Sequence, residues 1–305
     1  MNPPHDDTNF GIGTLAGLPV DVFMAVREGG MVSLTSKDMG IAPILDKIAP
    51  ILDKKDHRSR SVFDPKALLR EARRQKGLSA ETVPAVCVLD PDGDIVRHLK
   101  QGGQAKPAAG WPCYHTDLYT FALAGRTVGI VGCAVGASFA VLVSEQLFAS
   151  GCELLVSLTS AGQIVPAGPT PYFVIIDRAL RDEGTSYHYA PPAEFAAADA
   201  ALVSAAADAS KSTGLRVLVG ASWTTDAPFR ETAEAIEGAR ARGVLAVEME
   251  AAALYTFAGA KRARVLCIAH VTNTMGLAER DFEKGEADGT ADALKLLAAI
   301  TAAIG

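Results

Sequence analysis

The hydrophobic pattern of the chain alternates between two kinds of segment from about residue 83 onward. Short apolar runs rich in β-branched residues have the length of buried strands. They lie at 83–90, 127–131, 153–158, 215–219, 244–247 and 263–268. Ala- and Leu-rich segments with helical periodicity lie between several of them, and a last one starts at Thr290. This alternation predicts an α/β fold over 83–305, a single three-layer domain in which helices flank a mixed, largely buried central sheet.

Residues 1–82 form a separate N-terminal extension in this interpretation, and part of it is helical. Asp64 and Pro65 are a typical cap and first turn, 66–76 has helical periodicity, and Gly77 can end the helix. The segment IAPILDK occurs twice in succession, at 41–47 and 48–54, and each copy has a proline that interrupts a helix. The extension could pack on the core, cover a site or mediate assembly.

Composition narrows the class of protein. The 305-residue chain has a net charge of −6 and a pI near 5.6, which gives no reason to expect nucleic acid or membrane as a partner. No apolar run approaches the roughly 20 residues of a membrane span, and no signal peptide is evident. The five cysteines have no spacing suited to zinc, so we expect no metal and a cytoplasmic, reduced protein.

The stretch 243–258 combines a buried strand with the start of a helix. The change from strand to helix falls on Glu248, Met249 and Glu250. Two carboxylates beside a buried element are costly unless each has a partner or a ligand. A carboxylate can accept both hydroxyls of a ribose, and a methionine offers an apolar surface to the sugar ring. The alternative is that the two acids only cap the helix N-terminus.

The segment VEMEAAA at 247–253 resembles the signature of the nucleoside phosphorylase and nucleosidase superfamily. That superfamily includes uridine phosphorylase, hexameric purine nucleoside phosphorylase and methylthioadenosine nucleosidase. The resemblance implies that Met249 contacts a ribose and that Glu250 binds its hydroxyls, with Glu248 and Ser160 nearby. It also implies a nucleoside as the ligand, no metal or organic cofactor, and a homo-oligomer that is a dimer or a ring of dimers.

Further residues are candidates for reading the base. Phe229 can stack on a nucleobase, and Arg230 and Glu231 can bind its edge. In the alternative, Glu231 starts a helix and Arg230 is solvated. In the purine-specific members of the superfamily, the corresponding segment resembles Val-Ser-Asp. Asn273 takes the place of that Asp, and uridine phosphorylases also have asparagine there. His188 lies in a segment similar to one in uridine phosphorylase, although it also fits an ordinary loop histidine.

The residues at the superfamily's phosphate-binding positions indicate which nucleophile the protein uses. Members that use phosphate bind it with three arginines, and by alignment these positions carry Asp94, Thr116 and Ser157. The hydrolytic members of the superfamily also have an acid in place of the first arginine. Asp94 is therefore the residue expected to act as general base on water, and Asp92 is the second choice. These acids could instead only form a turn and cap. Phosphate as cosubstrate is therefore doubtful, although Arg97, Lys100 or the extension could restore an anion site.

These observations predict an enzyme that cleaves the N-glycosidic bond of a ribonucleoside. It resembles uridine phosphorylase, with water as the expected nucleophile. Asp94 and Glu250 are the expected catalytic residues. Phosphorolysis is the first alternative. The second is a non-catalytic nucleoside-binding or storage protein that retains the fold and the ribose site without turnover.

Overall fold

The computed structural model describes residues 22–27, 30–35, 56–275, 281, 282 and 284–305. The chain divides into two compact units, Met1–Asp56 and His57–Gly305. In the first unit, strands β1 (Val22–Arg27) and β2 (Gly30–Thr35) pair antiparallel. The IAPILDK duplication predicted as helical turns or an extended segment lies outside the described residues.

The second unit contains all other described helices and strands. The helices are α1 (Pro65–Lys76), α2 (Asp94–Gln101), α3 (Ala137–Ala149), α4 (Ala200–Ser210), α5 (Ala233–Ala241), α6 (Ala251–Lys261) and α7 (Thr290–Ile304). The strands are β3 (Val86–Asp90), β4 (Lys106–Pro107), β5 (Tyr119–Leu123), β6 (Arg126–Gly132), β7 (Leu154–Gln163), β8 (Tyr172–Asp182), β9 (Phe195–Ala197), β10 (Val217–Thr225), β11 (Val244–Glu248) and β12 (Arg264–Asn273). Short 3₁₀ turns lie at Ser186–His188, Lys211–Thr213 and Pro228–Arg230.

One mixed sheet joins the strands of this unit. Its order is β11-β10-β8-β12-β7-β3-β6-β5-β4, with β9 paired to β8. Strands β3, β6, β7 and β12 run parallel to one another, so their carboxyl ends share one edge. Strand β11 also pairs antiparallel with β7, which closes β7, β12, β8, β10 and β11 into a ring. The ring brings the end of β11 to the end of β7.

Helices cover both faces of the sheet because buried apolar residues alternate between them. On β3, Cys87 and Leu89 pack in the cluster that contains residues of α3 and α6, whereas Val86 and Val88 pack in the cluster that contains residues of α2, α4 and α7. Successive side chains of a strand point to opposite faces, so a continuous apolar run serves two helical layers. The three-layer α/β fold expected from the sequence is confirmed.

Helix α1 has the boundaries that its sequence signals predict. The Asp64 side chain accepts a hydrogen bond from the Lys66 amide, Pro65 opens the first turn, and Gly77 ends the helix with φ of 64°. Lys76 Nζ donates to the Cys113 carbonyl at 2.6 Å, within the second unit. This part of the predicted extension therefore packs with the α/β unit, and its function stays a prediction.

Three parts of the fold differ from the pattern-based prediction. Strand β8 is not predicted, because Asp177, Arg178 and Arg181 interrupt its apolar character. The Ala-rich pattern at 196–207 predicts a helix, but the helix starts only at Ala200, since Phe195–Ala197 forms strand β9 beside β8. The segment from Thr290 is predicted as a surface helix, but as α7 it buries one full face that includes Leu296, Leu297 and Ile300.

Candidate active site

Polar side chains from distant parts of the chain meet where β3, β7, β11 and β12 end. His270 of β12 lies opposite Ser160 of β7 in their parallel pairing. Val247 of β11 lies opposite Gly162 of β7. Asp90 is the last residue of β3, which pairs with β7 on its other side. The carboxyl ends of strands in α/β folds are where ligands usually bind, so this edge is the candidate site.

Glu248 has a structural role at this edge. One carboxylate oxygen accepts from Ser222 Oγ at 2.9 Å and from Thr224 Oγ1 at 2.5 Å. The other accepts the backbone amides of Glu250 and Ala251, both at 2.7 Å. Four donors contact this buried side chain, as the capping alternative describes, and its predicted role in substrate binding stays a prediction. These contacts fix the backbone of Glu250.

Glu250 is held differently and has acceptor capacity left. Its side chain is 1% exposed, and one oxygen, Oε1, accepts the Gly136 amide at 2.7 Å. No described residue donates to Oε2 in good hydrogen-bonding geometry, although a weaker contact from the Thr159 hydroxyl acts to lower the pKa of Glu250. Burial and the charge of Glu248 raise the pKa of Glu250 to about 8. A buried carboxylate oxygen without a donor is costly, which indicates that a ligand supplies the donor.

A small cleft lined by four aspartates, Asp288 among them, lies at the ends of β3, β7 and β12. Its lining includes Asp90, Asp92, Asp94, Ser160, His270 and Lys284. Asp92 accepts from the Ser160 amide at 2.8 Å and from its hydroxyl at 3.0 Å, and its charge contributes to the raised pKa of Glu250. Burial raises the pKa of Asp90 to about 7, although the Val96 and Gly93 amides donate to it. Ser160 and the aspartates therefore lie together at this edge of the sheet.

Asp94 is ion-paired through both carboxylate oxygens. Arg97 contacts Oδ1 and Lys284 Nζ contacts Oδ2, each at 2.6 Å. Burial acts to raise the pKa of Asp94, but the two cations outweigh it and lower the pKa below its ordinary value. Sequence reasoning missed Lys284, which is 190 residues from Asp94 and has no local signal that would have pointed to it.

Of the three positions where the resemblance implies arginines, only Asp94 carries a charged side chain. Thr116 Oγ1 accepts from Trp111 Nε1 at 3.1 Å. Ser157 is buried in β7, and its hydroxyl has no partner among the described residues. Neither residue can replace the charge of an arginine.

The predicted base-reading residues are less tightly placed. Phe229 is 99% exposed in the 3₁₀ turn after β10, and Arg230 is also exposed. Glu231 is partly buried, and that burial raises its pKa to about 7. Asn273 is buried, and its Oδ1 accepts the Met275 amide at 3.0 Å. His188 is exposed in a 3₁₀ turn. These five roles stay predictions, as does the contact of the half-buried Met249 with a ribose.

The described residues contain neither a metal-binding cluster nor a membrane-spanning helix. In that part of the chain, no group of three or more His, Cys, Asp or Glu side chains is arranged to hold a metal ion. No helix there has the length and apolar character needed to cross a bilayer.

The fold and site define a three-layer α/β protein with a carboxylate-lined site at the strand ends. Residues 85–304 match the family model of the phosphorylase superfamily, and the chain belongs to this family. It is 28% identical over 202 residues to uridine phosphorylase of Thermococcus kodakarensis, covering 60% of this chain and 70% of that protein. It is 31% identical over 157 residues to a DeoD-type purine nucleoside phosphorylase of Bacillus cereus, covering 51% and 67%.

A solved structure shows the same fold. The crystal structure of uridine phosphorylase from Vibrio fischeri superposes with a TM-score of 0.64 at 18% identity, covering 74% of this chain and 94% of that one. The predicted membership of the nucleoside phosphorylase and nucleosidase superfamily is confirmed.

Proposed function

We propose that the protein cleaves the N-glycosidic bond of a ribonucleoside at the site formed by Glu250 and Asp92. The observation that carries this proposal is the buried Glu250 side chain, whose Oε2 has no well-aligned donor among the described residues and whose pKa the charge of Asp92 helps to raise. A ribose hydroxyl is a donor of the right kind for this oxygen. The names of the relatives, uridine phosphorylase and purine nucleoside phosphorylase, support a nucleoside as substrate.

The proposed chemistry uses a carboxylate to stabilise positive charge. As the bond to the base breaks, the ribose ring develops oxocarbenium character, which the Asp92 carboxylate stabilises from a fixed position, whereas Glu250, whose pKa is raised to about 8, holds the ribose hydroxyls. The Gly136 amide and the backbone around Glu248 hold Glu250 before the substrate arrives. Because little reorganisation is needed, the stabilisation acts fully in the transition state.

We propose water as the nucleophile and Asp92 as its base. Asp94, the base expected from the sequence, is paired with two cations that lower its pKa, so it is a weak base. Asp92 is held by Ser160, and each of its oxygens retains a lone pair for a water molecule. The homo-oligomeric state and cytoplasmic location expected from the sequence stay predictions.

Phosphorolysis is the second candidate, because both named relatives are phosphorylases. It requires a cationic cradle for a dianion. Lys284 is the cation that lines the described cleft, and it is already paired with Asp94. This pairing favours water over phosphate.

The proposal is tested by measuring free-base release from a panel of purine and pyrimidine ribonucleosides, with and without phosphate. We expect release without phosphate, and Asp92→Asn should lower turnover by about 100-fold, within the usual range for loss of a general base. Asp94→Asn should retain more turnover than Asp92→Asn. The control is Glu237→Gln on α5, whose exposed carboxylate pairs with Arg240 along the same helix and does not line the cleft.

Three results would count against parts of this proposal. Release only with phosphate would favour the second candidate. A larger loss in Asp94→Asn than in Asp92→Asn would restore Asp94 as the base. Binding of nucleosides without release in either buffer would indicate a non-catalytic binding protein.

A further inference from the structure

The Asp94 carboxylate occupies a position in which two cations converge on one anion. Arg97 Nη1 and Lys284 Nζ each lie 2.6 Å from it, one on each oxygen. The Lys284 side chain is 25% exposed and that of Asp94 is 18% exposed, so the contact between them is largely shielded from water. This arrangement is the one that proteins use to bind carboxylate and phosphate ligands, but here the anion is part of the chain.

The surrounding charges explain why Lys284 does not bind an anion from solution while it is paired with Asp94. Lys284 Nζ also lies 3.8 Å from Asp92 Oδ2, and Asp90 and Asp288 line the same cleft. His270 also lines it, and burial lowers the pKa of this ring to about 4, so it adds no positive charge near neutral pH. The aspartates therefore outnumber the cations, and a phosphate dianion would be repelled.

The cleft also lacks room for a second anion. It encloses about 20 Å³, which is about the space of one water molecule. Asp94 is the first residue of α2, where the helix dipole also favours a negative charge. Its carboxylate thus fills both the volume and the electrostatic role that an external anion would take.

We propose that Asp94 is an internal anion that determines nucleophile specificity by holding Arg97 and Lys284 and keeping phosphate out of the cleft. Removing its carboxylate leaves two cations without their partner, which creates a site for inorganic phosphate. The link to nucleophile choice rests on the function proposed above, whereas the anion site itself does not depend on any turnover.

Binding of inorganic phosphate, measured by isothermal titration calorimetry at constant ionic strength with chloride as the other anion, tests this proposal. We expect no binding to the wild-type chain at millimolar phosphate. Asp94→Ala should bind phosphate roughly tenfold or more tightly than the wild-type chain does, because charge-assisted hydrogen bonds from Arg97 and Lys284 to phosphate replace those to the carboxylate. The double variant Asp94→Ala/Lys284→Met should lose this binding again.

A matched control separates this effect from a general change of charge. Asp208→Ala on α4 removes an aspartate that is paired at 2.7 Å with Lys211, three residues along an exposed helix. This variant has the same net charge as Asp94→Ala and should not bind phosphate. Circular dichroism spectra of all variants confirm that they are folded before binding is measured.

Three outcomes would overturn the proposal. Phosphate binding by the wild-type chain would show that Asp94 does not exclude it. Equal phosphate affinities in folded Asp94→Ala and Asp208→Ala would show that no site is created, and unchanged affinity in the double variant would place the anion elsewhere. None of these results depends on nucleoside cleavage, so failure of the proposed function would be recognised separately by the absence of base release.

Discussion

Replacement of Glu250 by glutamine should stabilise the protein at alkaline pH while weakening its binding of nucleosides. Glutamine has the same shape, and its carbonyl can still accept the Gly136 amide that Oε1 now accepts. Its amide group would take the place of Oε2, which has no donor from the described residues. The substitution therefore removes a buried charge with little change in packing.

The magnitude follows from the pKa of Glu250. Burial and Glu248 raise this pKa from its ordinary value of 4.5 to about 8. At about 1.4 kcal/mol for each pH unit, this difference corresponds to about 5 kcal/mol. Because the folded-state pKa is raised, the stability linked to this group is fully present below about pH 4.5 and is lost as the pH rises through about 8.

Urea unfolding at pH 6 and pH 9 measures the effect. The free energy of unfolding of Glu250→Gln should exceed that of wild type by about 2 kcal/mol at pH 6, where only the unfolded chain ionises this carboxyl, and by about 5 kcal/mol at pH 9. Nucleoside affinity, measured by calorimetry at both pH values, should fall. The exposed control Glu237→Gln should change stability by no more than about 0.5 kcal/mol.

The reasoning would be refuted by a folded Glu250→Gln that is less stable than wild type at pH 9 and binds nucleoside equally well. Asp90 and Glu231 also have raised pKa values, but both remain in the variant, so the difference between the two proteins isolates Glu250.

Three other predictions concern neighbouring residues. Thr224→Val removes the hydroxyl that donates to Glu248 and accepts the Ala252 amide. It should therefore lower the free energy of unfolding by about 2 kcal/mol and weaken nucleoside binding. The control Thr120→Val on β5 should change neither quantity. A nucleoside affinity equal to wild type would show that Glu248 does not position Glu250. Phe229→Ala should leave stability unchanged but weaken nucleoside binding by about 1 kcal/mol in calorimetry, and unchanged affinity would exclude stacking on the base. The His270 ring, whose pKa burial and Lys284 lower to about 4, should remain neutral at pH 5.5 by NMR; protonation near pH 6.5 would contradict its buried stacking on Phe173.

Much of the fold could be predicted from local patterns. Helix α1 has a cap, a first-turn proline and a C-terminal glycine, and each signal acts within a few residues. The strand-to-helix change at Glu248 is visible for the same reason. Strand β8 escaped prediction because its stability comes from pairing with β9, β10 and β12, which are distant in sequence and compensate for its charged positions.

The candidate site shows the same limit. The motif around Glu250 identified the acids, but it could not separate their roles, because only the three-dimensional structure shows that Ser222 and Thr224 occupy Glu248. The turn at Asp92 and Asp94 was visible as a cluster of acids. Lys284, which pairs with Asp94 from the connection between β12 and α7, lies too far along the chain for any spacing argument.

The sugar product of nucleoside cleavage in phosphate buffer tests the central claim most directly. The protein is incubated with a ribonucleoside that it cleaves, and the sugar product is identified by ³¹P and ¹³C NMR. A site in which Asp92 activates water, and in which Asp94 holds Arg97 and Lys284, should yield free ribose even when phosphate is abundant. Ribose 1-phosphate as the main product would contradict this account and show that phosphate reaches the glycosidic carbon.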